Sequence, residues 1–191
     1  VASARESGLA RTYNNNFQGS ASFTYKIIDG LSLRGNASTT FNLKDEHTFL
    51  RSMKFYTAES VDPIRTTRSE VENKDNKMLE VNLQAYLDYA KSFGKHDLKG
   101  LLGYSQLYNQ YRILGASRKD LPLNNSLGEI NAGDITTQTS EGNMVEYALR
   151  SAFARVNYTF DNRYLLEANI RYDGTSRFPK DNRFGAFPSF S

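Results

Sequence analysis

The chain has 191 residues, and its 24 Lys and Arg residues against 21 Asp and Glu residues give a formal net charge of only +3. The basic residues are scattered along the sequence, which argues against a nucleic-acid-binding surface. Because there is no cysteine and no run of about 18 apolar residues, a disulfide framework, a thiolate metal site and a transmembrane helix are all excluded.

The first strand pattern runs from residue 17 to residue 43. Apolar or small residues occupy the odd positions and polar residues the even positions, which is the two-residue period of a strand with one apolar face. Asp29 and Gly30 interrupt the pattern, and Gly30 can adopt the positive φ of a type I′ turn. The sequence therefore predicts a hairpin of two strands that could each cross a membrane, which takes about 9–11 tilted residues.

Four further strands are predicted downstream, and another begins near Phe184. They cover residues 79–89, 98–113, 145–160 and 164–172. Short turns at 29–30, 91–97 and 161–162 alternate with long polar connections at 44–77, 114–144 and 173–183. This alternation is typical of outer-membrane barrels, whereas connections of about thirty residues are uncommon in soluble sandwiches.

The polar face of these strands would line the interior of such a barrel. The wall residues that strand alternation predicts are Arg34, Asn36, Asn82, Gln84, Asn157, Glu167 and Asn169. The two histidines, His47 and His96, have no nucleophile or carboxylate at a catalytic spacing, and no nucleotide-binding or metalloprotease motif occurs. The sequence thus predicts no enzyme activity, no catalytic residue, no metal site and no cofactor.

The most specific pattern lies at residues 171–191, which read RYDGTSRFPKDNRFGAFPSFS. This string resembles a signature of the SusC/RagA family of TonB-linked outer-membrane proteins, and residues 153–166 resemble the hairpin that precedes it. The signature residues are Arg171, Asp173, Gly174, Ser176, Arg177, Phe178, Arg183, Gly185, Phe187 and Pro188. We expect them to shape a strand–loop junction, with the arginines paired to carboxylates such as Glu167 and Asp181.

The resemblance implies an all-β, antiparallel transmembrane barrel, of which residues 1–191 would supply about seven strands. Family barrels of 22 strands enclose an N-terminal plug, and no plug, TonB box or signal peptide is matched in residues 1–191. Because seven strands would leave two unpaired edges in the membrane, we expect a fragment of a longer polypeptide.

The resemblance also implies a function: TonB-dependent import of glycans, oligosaccharides or peptides across the outer membrane of a Gram-negative bacterium. The expected partners are the rest of the barrel and its plug, outer-membrane lipid, the TonB complex and a SusD-like surface lipoprotein, with no nucleic acid. Connections 44–77 and 114–144 are expected to contact the lipoprotein or the substrate.

Two alternatives remain open at this point. One is a passive outer-membrane barrel, either a porin or an adhesin. The other is a soluble β-sandwich that binds carbohydrate, in which the odd-position faces of the strands would have to pack against each other instead of against lipid.

Overall fold

The computed structural model describes residues 7–59, 61–122 and 128–191. In chain order its strands are β1 (Gly8–Ile28), β2 (Leu31–Leu50), β3 (Lys54–Phe55), β4 (Arg65–Thr66), β5 (Glu70–Phe93), β6 (His96–Lys119), β7 (Thr139–Phe160), β8 (Tyr164–Thr175) and β9 (Phe184–Phe190). Single 3₁₀ turns lie at Ile130–Ala132, Ile135–Thr137 and Lys180–Asn182. Within the described ranges, no helix is long and apolar enough to cross a membrane.

Seven of the strands form one sheet in the order β1-β2-β5-β6-β7-β8-β9. Each long strand therefore pairs with the next long strand in the chain, as in a meander, and β1 and β9 form the two edges. The pairs β7–β8 and β8–β9 are antiparallel. The predicted all-β fold with seven main strands is confirmed.

The long strands extend further than their sequence patterns predict. Strand β2 continues to Leu50 and β5 starts at Glu70. The observed long connections are 51–69, 120–138 and 176–183, in place of the predicted 44–77, 114–144 and 173–183. The predicted bounds were wrong because polar residues such as Asp45 and Asp75 take the odd positions near these strand ends, which removes the alternation while backbone pairing continues.

Connection 51–69 also contains a small hairpin that the sequence analysis missed. Strands β3 and β4 pair antiparallel, with Lys54 opposite Thr66 and Phe55 opposite Arg65. Residue 60 of this connection and residues 123–127 of the next lie outside the described residues. Two-residue strands leave no alternation to detect, so the pattern could not reveal them.

The tight turns confirm the predicted hairpins but correct one turn type. Gly30 has a φ of 82°, whereas Asp29 is not in the positive-φ region, so this turn is not type I′. Asp161 and Asn162 have φ values of 52° and 51°, the two consecutive positive values that a type I′ turn requires. In the β5–β6 turn, Gly94 alone has a positive φ, at 61°.

The chain divides into two compact units. The first comprises residues 1–16, 42–78 and 111–145, of which the structure describes 7–16, 42–59, 61–78, 111–122 and 128–145. Its small core consists of Phe49, Val71 and Leu121, against which Ile130 and Ala132 pack. The buried core of this unit therefore lies between the ends of β2 and β5 and connection 120–138.

The second unit comprises residues 17–41, 79–110 and 146–191. One face of its part of the sheet carries exposed apolar side chains. Side chains at alternate positions of its strands are about half exposed, including Leu83 (46%) and Ile170 (51%). Contiguous exposed apolar surface of this extent marks contact with a membrane or a partner. The seven long strands of the described residues all belong to one sheet, which is not the pair of facing sheets that the soluble-sandwich alternative requires.

Candidate functional site: a polar sheet face and the β7–β9 junction

The face opposite the apolar one carries a network of polar side chains on β7 and β8. The register places Asn157 opposite Glu167 and Arg155 opposite Asn169, so each pair shares a face. Arg155 Nε donates to Asn169 Oδ1 (2.7 Å), and Asn169 Nδ2 donates to Glu167 Oε1 (2.7 Å). In the orientation that satisfies its amide, Asn157 donates to Glu167 Oε2 (2.9 Å). Three predicted wall residues are thus joined.

A second group on the polar face links β2 to β5. Arg34 forms a two-pronged ion pair with Asp88, with Nε to Oδ2 at 2.6 Å and Nη2 to Oδ1 at 2.8 Å. The Arg34 guanidinium also lies 5.1 Å from the ring centroid of Tyr86. The Tyr86 hydroxyl donates to Gln84 Oε1 (3.0 Å), so the predicted wall residues Arg34 and Gln84 belong to one cluster.

An aromatic contact extends this cluster to β7 and β8. The ring of Phe153 meets the ring of Tyr86 edge-on, with centroids 5.9 Å apart and planes at 62°. The guanidinium of Arg171 lies 5.6 Å from the centroid of Phe153. We call the run Arg34, Tyr86, Phe153 and Arg171 the cation–aromatic ladder. It crosses β6 at Gly103, where a Cβ atom would clash with the ring of Phe153.

The far end of the ladder is anchored by a signature carboxylate. Arg171 Nε donates to both oxygens of Asp173, at 2.7 and 2.8 Å, and its Nη2 donates to Ser151 Oγ (3.2 Å). Arg171 was expected to pair with a carboxylate such as Glu167, and its carboxylate partner is instead Asp173. Residues two apart on one strand point to the same face, so Asp173 lies closer along the strand to Arg171 than Glu167, which is four residues away.

The connection after β8 is tied back to β7 through two signature residues. Ser176 N donates to the carbonyl of Ala148 (2.9 Å), and Ala148 N donates to Ser176 Oγ (2.8 Å). The guanidinium of Arg177 lies 4.0 Å from the ring centroid of Tyr147. The contact found for Arg177 is therefore with an aromatic ring and not with one of the expected carboxylates.

The same connection is closed by Arg183, which donates from Nε to the carbonyl of Phe178 (3.0 Å). The Arg183 carbonyl accepts from Thr175 N (3.0 Å), which fixes the start of β9 against the end of β8. The partner found for Arg183 is thus a backbone carbonyl and not one of the expected carboxylates. Gly174 leaves room for the ring of Phe184, which would clash with a Cβ atom at that position.

Three signature residues lie on β9 itself. The register places Gly185 opposite Asp173, Phe187 opposite Arg171 and Pro188 opposite Ile170. All ten signature residues thus fall within β8, β9 and the connection between them, and their role in shaping this junction stays a prediction.

Two predicted wall residues, Asn36 and Asn82, lie two positions from Arg34 and Gln84. Strand alternation places each of them on the polar face with its neighbour. Their role as a wall toward substrate stays a prediction. The ladder residues Tyr86 and Phe153 were not among the predicted wall residues, although both have the same parity along their strands as the predicted residues beside them.

The first unit contains a separate ion pair, which joins the end of connection 51–69 to the start of connection 120–138. Arg68 Nε donates to Asp120 Oδ1 (2.8 Å) and Nη2 donates to Oδ2. Hydrogen bonding to Arg68 lowers the pKa of Asp120, and the same bond raises the pKa of Arg68. Nearby, hydrogen bonds from Thr136 lower the pKa of Asp134. In the described part of the chain, no group of three or more His, Asp or Glu side chains could hold a metal ion.

Comparison with known proteins gives relatives of one kind, although no family model matches the chain. It is 34% identical to TonB-dependent receptor P3 of Formosa agariphila, covering 94% of this chain and 17% of that protein. It is 32% identical to TonB-dependent receptor SusC of Bacteroides thetaiotaomicron, covering 62% of this chain and 12% of that protein. The chain thus spans less than a fifth of the length of these curated relatives.

Solved structures match over nearly the whole chain. A structure of the RagAB peptide importer in its closed-closed state covers 98% of this chain and 20% of its own, with a TM-score of 0.85 and 22% identity. A structure of the RagAB peptide transporter covers 95% of this chain with a TM-score of 0.77 and 23% identity. These matches show that the fold of the seven-stranded sheet is that of a segment of such a transporter.

Proposed function

Because this chain belongs to the SusC/RagA family of TonB-dependent receptors, we propose that it forms part of the barrel wall of an outer-membrane importer powered by the TonB complex. The observation that carries this proposal is the opposition of the two sheet faces in the second unit. One face is a continuous, exposed apolar surface, and the other is a network of paired charges and amides. That division suits a wall with lipid on one side and a polar interior on the other.

The length of the apolar surface supports contact with a bilayer. On β5 the odd positions are apolar from Leu79 to Tyr89. Eleven residues at about 3.3 Å each span about 36 Å along the strand, or about 25 Å along the membrane normal at a tilt near 45°. This matches the apolar band of about 25 Å found in outer-membrane barrels. Lys77 and Asp75, the next odd positions, would then lie in water.

The paired charges support a structural wall on the interior side. Arg34 and Arg171 each have a carboxylate partner, Asp88 and Asp173, and both ion pairs remain partly exposed. A charge that already has a partner attracts a passing ligand weakly, so the polar face would interact with a plug or a moving substrate without trapping it. In this proposal the segment performs no catalytic step.

The proposed cargo is a nutrient too large for a porin, either a glycan or a peptide. Its proposed partner is a SusD-like lipoprotein on the cell surface, which would meet connections 51–69 and 120–138. The names of the relatives motivate both assignments, since one is SusC and another is described as a peptide importer. The proposed location is the outer membrane of a Gram-negative bacterium.

Uptake by the intact receptor in its own host would test this function. Cells carrying the receptor should accumulate labelled oligosaccharide or peptide, and deletion of the receptor gene or of TonB should abolish this accumulation. The lipoprotein should co-purify with the receptor from detergent extracts. Uptake that persists without TonB would favour a passive porin, and surface attachment without any uptake would favour an adhesin.

A further inference from the structure

The small core of the first unit is built from both ends of connection 51–69. Phe49 lies on β2 just before this connection, and Val71 lies on β5 just after it. Phe49 is 6% exposed and Val71 is fully buried. Leu121, which opens connection 120–138, completes the core at 8% exposure. Both stems of the first connection therefore share one apolar cluster with the start of the second.

A short part of the second connection lies across these stems. We call residues 128–132 the strap. A Cβ atom on Gly128 would lie 3.2 Å from Phe49 Cγ and 3.4 Å from His47 Nε2, so the strap backbone runs directly over β2. Ile130 and Ala132 of the strap pack against the core. The strap therefore covers apolar side chains that belong to the stems of the other connection.

Polar contacts join the same two connections beside the core. Ser69 is 3% exposed, and its hydroxyl accepts from Leu121 N (2.8 Å) while its carbonyl accepts from Asp120 N (2.9 Å). The ion pair between Arg68 and Asp120 lies next to these bonds. Opening either connection at this point would leave the buried hydroxyl of Ser69 without its partner, which is costly.

We propose that the strap holds both stems of connection 51–69, so that the strap and the described stems of the two longest connections open as one cooperative unit. Segments that share a buried core and buried hydrogen bonds unfold as a cooperative unit. Any partner or substrate that displaces one connection would therefore displace the other. This inference concerns motion, and it stands whether or not the protein imports a nutrient.

Hydrogen–deuterium exchange on the intact receptor in detergent tests the coupling. Ile130→Ala removes strap atoms that pack on the core, and Ile135→Ala is the matched control because Ile135 is 70% exposed in the same connection. Ile130→Ala should speed exchange in peptides from 51–69 by about tenfold. Ile135→Ala should leave exchange unchanged, and peptides from 79–110 should be unaffected in both variants.

A reciprocal variant guards against a folding defect in the first. Ser69→Ala removes the acceptor for Leu121 N from the other connection, and it should speed exchange in residues 128–132. Heat-modifiable gel migration should show that each variant still forms the barrel. The proposal is overturned when each substitution speeds exchange only in its own connection, because the two would then move independently.

Discussion

Gly103→Ala should destabilise the receptor by disrupting the cation–aromatic ladder. A methyl group at residue 103 would occupy the space that the ring of Phe153 now fills. The ring would have to move away from Tyr86 and from the guanidinium of Arg171. Gly100→Ala is the matched control on the same strand, because the nearest atom to its added Cβ is 3.9 Å away, an ordinary contact.

The expected cost follows from the contacts that would be lost. An edge-on aromatic pair contributes about 0.5–1.5 kcal/mol and an exposed cation–aromatic contact about 0.5–1 kcal/mol. Overpacking costs about 1–3 kcal/mol when the surroundings cannot relax. Because the ring of Phe153 can rotate, we expect a total of about 1–3 kcal/mol for Gly103→Ala. Gly100→Ala should have no cost, since replacing glycine within a strand is favourable in itself.

Urea unfolding of the intact receptor in bilayers, followed by gel migration, would measure these differences. The decisive comparison uses a Phe153→Ala background, where the space beside residue 103 is empty. There the cost of Gly103→Ala should disappear. A cost that persists in that background, or one that Gly100→Ala shares, would refute the explanation through the ladder.

Three further predictions follow from other parts of the fold. Leu83→Arg should destabilise the receptor in bilayers by about 2–4 kcal/mol, while Lys77→Arg should change urea unfolding little, because only residue 83 lies in the proposed apolar band. Asn162→Val should cost about 1–2 kcal/mol in the same assay and Asn162→Gly should not, since residue 162 has a positive φ. Arg68 lowers the pKa of Asp120, so the stabilising contact is present above the ordinary pKa of an aspartate and is lost as the pH falls through the lowered one. Pepsin should therefore cleave connection 51–69 increasingly as the pH falls through that range, and Asp120→Asn should remove the increase.

Strand alternation predicted the hairpins but not the ends of the strands. Between Leu79 and Tyr89 the odd positions are apolar because one face is open, and that pattern is visible in the sequence. Beyond this stretch Asn73, Asp75 and Lys77 take the odd positions, although β5 continues to Glu70. The alternation therefore reports which part of a strand has an apolar face, while backbone pairing alone decides where the strand stops.

The members of the candidate site were easier to predict than their partners. Parity along a strand placed Asn157, Glu167 and Asn169 together, and the register confirms that they share one face. Arg171 bonds Asp173, which lies two positions along the same strand and which parity alone could have indicated. Arg177 stacks on Tyr147 of another strand, a contact that depends on three-dimensional proximity and that no local pattern reveals.

The assignment of the two faces is tested most directly by spin labels placed one at a time along residues 79–89 of the intact receptor in its membrane. This segment contains no cysteine, so each label site within it is unique to the introduced residue. Labels at odd positions should be accessible to oxygen, which dissolves in lipid, and labels at even positions should be protected from it. Collision of the odd-position labels with a water-soluble nickel complex, or the absence of a two-residue period, would contradict the account.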